Sequence, residues 1–158
     1  MQHYPVMTIE EERKRWFRTE QDKAVINILY SSEKIKTSIN QLLKPYGLRL
    51  EEWDVLRILL EFEHGPISLS TLRERTLCNR RSLGKILYRF KEDGLICEEP
   101  VFSNGIENAY FLTSDARQLV ERIDYHYQSL LDHYRNSISQ GEARLLNNVL
   151  DKTRSLSS

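Results

Sequence analysis

The sequence predicts a mainly α chain with a small β-wing, a winged helix-turn-helix flanked by N- and C-terminal helices. Three observations carry that prediction. Ser70 to Val101 reads as a short helical pattern, a two-residue turn, an amphipathic helix opened by Asn79, and a strand. Directly after it, Asn104-Gly105 separates two β-prone runs, and Asn-Gly between strands is a strong short-range hairpin signal. On either side of this block, apolar residues recur at three- and four-residue steps, the spacing of one helix face.

The first long helix runs from about residue 20 to Tyr46. Val25, Ile28, Ser32, Ile35, Ile39, Leu42 and Tyr46 form its stripe, and Pro45 and Gly47 close the pattern. Trp16 and Phe17 precede it, placed to cap an interface or to cover apolar surface on a partner subunit. A second helix, Leu50 to Phe62, carries Trp53, Leu56, Leu59 and Leu60 and stops at His64-Gly65-Pro66. Ile67 to Leu69 is short enough to be a strand that joins the wing sheet.

In the helix opened by Asn79, Leu83, Ile86, Leu87 and Phe90 fall on one stripe at about 100° per residue. Arg81, Lys85 and Tyr88 fall opposite, with Arg80, Gly84 and Arg89 on the flanks. One face packs and the other faces out. Gly84 is an unusual choice, because glycine inside a helix costs about 1 kcal/mol relative to alanine. A close approach would explain it, to a groove edge or to a tightly packed neighbouring helix. Gly94 suits the left-handed position that ends the helix. Two short runs follow, Leu95 to Val101 and Ala109 to Leu112, with Ser103-Asn104-Gly105 as the tip of the wing. Ser114 is placed to cap a helix bearing Leu119, Val120, Ile123, Tyr127, Leu130, Leu131 and Tyr134. The last helix, roughly Ser139 to Ser155, contributes Ala143, Leu146, Val149 and Leu150.

Charge is concentrated where this block lies. The whole chain is neutral, with 23 basic and 23 acidic residues, yet Ser70 to Lys91 holds seven cations against the single anion Glu74. That local excess of six positive charges marks a polyanion-binding face on an otherwise unattractive molecule. The candidate DNA-contacting residues are Ser70, Arg73, Asn79, Arg80, Arg81, Ser82, Gly84, Lys85, Tyr88, Arg89 and, at the wing tip, Asn104.

ISLSTLRERTLCNRRSLGKILYRFKEDGLI resembles the DNA-binding segment of the MarR family of bacterial regulators, with its short strand, two helices, Gly-Leu-Ile exit and wing. The order and spacing of the elements are similar over essentially the whole chain. This resemblance implies a single protomer over 1–158, with 48–113 as the winged helix-turn-helix and 20–46 and 114–156 as dimerisation helices. It further implies a homodimer that binds a pseudo-palindromic operator in double-stranded DNA, usually as a repressor, and that responds to a small aromatic effector or an oxidant. The implied effector pocket lies between the dimerisation helices and the winged helix, where Tyr30, Trp53, Phe62 and Tyr127 are the candidates. One departure matters: the family's wing carries an Asp-x-Arg pattern whose arginine enters the minor groove, whereas 102–108 here contains no cation and one anion, Glu107.

Other functions find little support. No run of about 18 apolar residues is present to span a membrane. Glu10-Glu11-Glu12-Arg13-Lys14-Arg15 is too charged for a secretory signal, so a cytoplasmic location is expected. Cys78 and Cys97 read as packing cysteines rather than a redox pair. His3, His64, His126 and His133 have no spacing that resembles a zinc site, so no metal and no cofactor are expected. No phosphate loop or nucleophile motif points to an enzyme. Two function classes remain: a dimeric, sequence-specific DNA-binding transcriptional regulator, or a winged-helix protein–protein interaction module that has lost DNA binding. The basic outer stripe of the second helix favours the first.

Overall fold

A computed structural model of the chain describes residues 7–62, 65–102 and 106–155. Seven helices and three strands occur among them: α1 (Ile9–Arg13), α2 (Glu20–Leu43), α3 (Leu50–Glu61), β1 (Ile67–Ser68), α4 (Leu69–Arg75), α5 (Arg80–Glu92), β2 (Ile96–Phe102), β3 (Ile106–Leu112), α6 (Ser114–Ser137) and α7 (Gln140–Ser155). Local chemistry sets most boundaries. Thr19 opens α2 by accepting from the Asp22 amide at 3.0 Å, and the helix tightens into a 3-10 turn at Lys44–Tyr46 before Gly47 reverses the chain at φ 67°. Ser68 caps α4 by accepting from the Thr71 amide at 3.2 Å. Gly94, at φ 67°, turns the chain out of α5.

Of the boundaries that differ from expectation, two are explained by specific contacts. The cap of α6 is Thr113, whose hydroxyl accepts from the Ala116 amide at 3.2 Å, and Ser114 lies inside the first turn. Thr113 wins because its hydroxyl also donates to the Gly94 carbonyl at 3.0 Å, tying the start of α6 to the exit from α5. β3 begins at Ile106 rather than Ala109, because the hairpin keeps its pairing through Pro100↔Asn108 and Val101↔Glu107 to Phe102↔Ile106. Pro100 is tolerated because the sheet order β1-β3-β2 puts β2 at an edge.

Helix α1 has no counterpart among the elements predicted from the sequence. Thr8 and Glu11 form a reciprocal capping box, with the Thr8 amide donating to the Glu11 carboxylate at 2.7 Å and the Glu11 amide donating to the Thr8 hydroxyl at 3.4 Å. Ile9 is buried, and Lys23 of α2 reaches Glu10 at 2.9 Å.

The core sits where α3, α5, the sheet and the first half of α6 converge. Trp53, Leu56, Leu59, Ile67, Leu72, Leu83, Phe90, Val120 and Ile123 are fully enclosed there. By contrast, α7 buries none of its residues within the protomer.

Candidate nucleic-acid interface

The helix-turn-helix is α4 and α5 with a turn between them. Asp54 of α3 holds that turn, its carboxylate accepting from the Thr76 hydroxyl at 2.9 Å and the Leu77 amide at 2.7 Å. Asn79 then caps α5, accepting from the Ser82 amide at 2.9 Å. With the start of α5 anchored, its phase follows. Leu83, Ile86, Leu87 and Phe90 are buried, and Arg80, Arg81, Gly84, Lys85 and Tyr88 are exposed, with Ser82 half-buried between the two faces.

Not every cation on this face is available to an external anion. Arg89 meets Glu52 at 2.6 Å and Asp93 at 3.6 Å. Glu52 is buried, and its second oxygen accepts from the Arg49 amide at 2.8 Å, so Arg89 is the counter-charge that makes its burial tolerable. Arg89 therefore serves the protomer's own structure before any ligand. Lys91 is likewise paired with Glu98. The hydrogen bond between them raises the lysine pKa and lowers that of the glutamate. Arg75 lies over the Phe62 ring, 4.7 Å from its centre. Among the described residues, Arg73, Arg80, Arg81 and Lys85 are exposed and have no ion-pair partner.

The wing is fastened to this unit at two points. On the face towards α5, Glu98 accepts from Lys91, from the Asn108 amide group and from the Tyr110 hydroxyl, the last at 3.2 Å. Burial, followed by the Glu98 charge, raises the pKa of that tyrosine. On the opposite side, Glu107 accepts from the Ser70 amide and from the Ser70 hydroxyl, the latter at 3.0 Å. Ser70, expected to face DNA, thus has both donors engaged within the protomer. Glu107, the one anion of 102–108, is a clasp on α4 rather than a free charge. Asn104 lies outside the described residues.

Between α5 and the sheet runs an open cleft lined by Arg73, Arg80, Gly84, Tyr88, Lys91, Glu98 and Tyr110. A Cβ built on Gly84 would meet nothing within 4 Å. A packed neighbouring helix in the protomer is therefore not the reason for this glycine, and approach by something external remains.

The four aromatic residues proposed for an effector pocket do not converge. Trp53 and Tyr127 pack edge to face with ring centres 5.7 Å apart, and the Trp53 Nε1 is buried without a hydrogen-bond partner. Tyr30 lines a different cavity, with Ile9, Asn27, Lys34 and Tyr134. Phe62 lines a third, beside Pro66 and Phe111. Among the described residues, no three His, Cys, Asp or Glu side chains gather as a metal site. No helix among them is long and apolar enough to cross a membrane.

Comparison with known proteins follows the same lines. No family model matches the chain. The HTH-type transcriptional repressor IacR of Pseudomonas putida is 28% identical over 114 residues, which are 72% of this chain and 67% of that protein. AbsC, a MarR family transcriptional regulator from Streptomyces coelicolor, superposes with a TM-score of 0.74 at 18% identity, over 89% of this chain and 96% of that one. The fold is that of the MarR family. The MepR–DNA complex of Staphylococcus aureus matches with a TM-score of 0.71 at 14% identity, over 91% of this chain and all of that one (100%). Coverage of this extent reaches well beyond the winged block, so the MarR fold here includes the helices on both sides of it. Within that fold α5 is the second helix of the helix-turn-helix, and β2 and β3 are the wing.

Proposed function

We propose that the chain is a dimeric, sequence-specific DNA-binding transcriptional regulator of the MarR family, acting as a repressor in the cytoplasm and not as an enzyme. One observation carries the reading: α5 buries Leu83, Ile86, Leu87 and Phe90 and turns Arg80, Arg81 and Lys85 outward, without ion-pair partners among the described residues. A helix held in this way presents bidentate donors and a positive point charge to a major groove. The likeness to a repressor and to a regulator solved on DNA supports it.

The division of labour follows. Residues 48–113 bind DNA, with Arg81 reaching base edges and Lys85, Arg73 and Arg80 reaching phosphates. The helices at 20–46 and 114–156 join two protomers. Exposed Val25, Leu29 and Ile35 on α2 and Leu145, Leu146 and Val149 on α7 support that assignment. A small aromatic effector would enter between these helices and the winged helix, beside Trp53 and Tyr127, where the indole N–H lacks a partner.

Selection of bound fragments from random DNA with the full-length protein tests the proposal. Enrichment of an inverted repeat is expected. On that repeat, Arg81→Ala should cost about 1 to 3 kcal/mol of specific binding and much less on unrelated duplex. No enrichment of any sequence would leave the protein–protein interaction module as the better account.

A further inference from the structure

The wing carries an unsatisfied feature of its own. Phe102 and Ile106 are directly paired across the hairpin, and each is 78% exposed. Directly paired residues of an antiparallel ladder stand on one face of the sheet, side by side. Alternation identifies that face. Phe102 shares it with Ile96, Glu98 and Pro100, and Ile106 shares it with Asn108, Tyr110 and Leu112. It is the face that α5 covers, since Lys91 meets Glu98 there and the cleft between the two holds Gly84, Tyr88 and Tyr110. The outward, cationic side of α5 therefore continues through the cleft onto the sheet face from which the two apolar side chains project. Glu107 lies on the other face, clasped to Ser70.

We propose that Phe102 and Ile106 form an apolar wedge that enters the minor groove of the DNA beside the segment read by α5, and so replace a charged wing contact by a hydrophobic one. The proposal rests on the DNA-binding reading above. Apolar side chains of this kind insert between base steps, unstack them and kink the duplex. They form no directional hydrogen bond, so what they read is the ease with which a step deforms. A second copy of this chain is a poor occupant of the same face, because it would bring two sets of Arg73, Arg80, Arg81 and Lys85 together. A polyanion matches those charges, and the minor groove is the part of it that offers an apolar wall to the wing. Glu107 does not oppose the approach, since its carboxylate is drawn to the far face and hydrogen bonded.

A duplex enriched from random DNA by the full-length protein is the probe, with affinity measured at several salt concentrations and bending followed by energy transfer between end labels. Phe102→Ala with Ile106→Ala should lose affinity on the order of tenfold at every salt concentration, because burial of apolar surface is lost and no counterion release changes. The salt slope should stay as in the wild type and the kink should relax. Lys85→Ala should do the reverse, making a dimer's slope shallower by about 2 while leaving the kink. Phe102→Arg should steepen the slope by about 2 and still lose the kink. Circular dichroism should be native for all of them, since none of the substituted side chains is buried. Wild-type affinity and bending in the double alanine variant would overturn the wedge, as would a straight duplex in the wild-type complex. If Lys85→Ala and Arg81→Ala are also without effect, the α5 reading has failed, and a loss confined to those two variants condemns the wedge alone.

Discussion

Helices α5 and α7 are of similar length, 13 and 16 residues, and both carry an apolar stripe beside a charged face. Yet α5 buries Leu83, Ile86, Leu87 and Phe90 in its own protomer, while α7 buries nothing and leaves Leu145, Leu146 and Val149 in solvent. Helical periodicity marks a face that needs a partner and is silent about where the partner lies. For α5 the partner is α3 and the sheet, delivered by the chain itself. For α7 the described residues of the chain supply none, and a second copy is the occupant under the proposed function. One half of the molecule thus closes its core alone, and the other half leaves its apolar stripe uncovered.

The difference can be broken most severely on the closed side. Phe90 has no exposed surface and belongs, with Leu72, Leu83 and Leu87, to the enclosed core. Phe90→Ala should cost about 3 to 5 kcal/mol, read as a fall in the urea midpoint at constant slope. Loss of less than about 1 kcal/mol would mean that the winged block is not the self-sufficient half. The open side should respond differently. Leu146→Glu should leave the helix content unchanged but drive the protein from a scattering mass of about twice 18.8 kDa to the protomer's 18.8 kDa. Each leucine returned to water forfeits about 1.5 to 3 kcal/mol of burial, before the cost of the buried charge. An intact dimer would place the seam away from α7.

Gly84 sharpens the comparison from within α5. Its Cβ position is open, so alanine there should stabilise the protomer by about 1 kcal/mol through helix propensity alone. If α5 lies close against a groove, the same methyl should weaken binding to the enriched duplex. Stability and affinity would then move in opposite directions, which no purely structural role for this glycine produces. A gain in both would remove Gly84 from the interface.

What could be read from the sequence is what local chemistry determines. Asn79, the 3.6-residue period and Gly94 together specify α5, because cap, stripe and stop are all carried within sixteen residues. Helix α1 had a local signal too, the Thr8 and Glu11 pair, but five residues are too few for a period. Thr113 and Ser114 are both capping residues, and the choice between them is made by a carbonyl at Gly94, 19 residues away. The contacts that engage Arg89 and Ser70 within the chain are farther still. Glu52 to Arg89 and Ser70 to Glu107 each span 37 residues. Nothing in the neighbourhood of an arginine says that a buried carboxylate will claim it. The aromatic residues Tyr30, Trp53, Phe62 and Tyr127 failed to converge for the same reason, since their stripes show burial and not which cavity they line.

The smallest effect should come from acid, and it separates two carboxylates that are alike in direction. Hydrogen bonding lowers the pKa of Glu98, through Lys91 first, and that of Glu142, through Ser139. A carboxyl whose folded pKa lies below its unfolded value stabilises the fold above that unfolded value, and the contribution is lost as pH falls through the folded one. Both contributions are therefore present at neutral pH and vanish below the ordinary glutamate value of 4.5. The partners differ. Glu98 joins the wing to α5 and to Tyr110, inside the half that closes on itself, whereas Glu142 is an exposed cap on α7, the helix that buries nothing. Glu98→Gln should lower the urea midpoint at pH 7 and flatten its decline towards pH 3, since the variant has no carboxylate left to protonate there. Glu142→Gln should leave the midpoint of the winged block where it was, because fraying the first turn of α7 uncovers no core. Equal acid profiles for the two variants would mean that α7 unfolds together with α5, and the division into a closed and an open half would then be structural but not energetic.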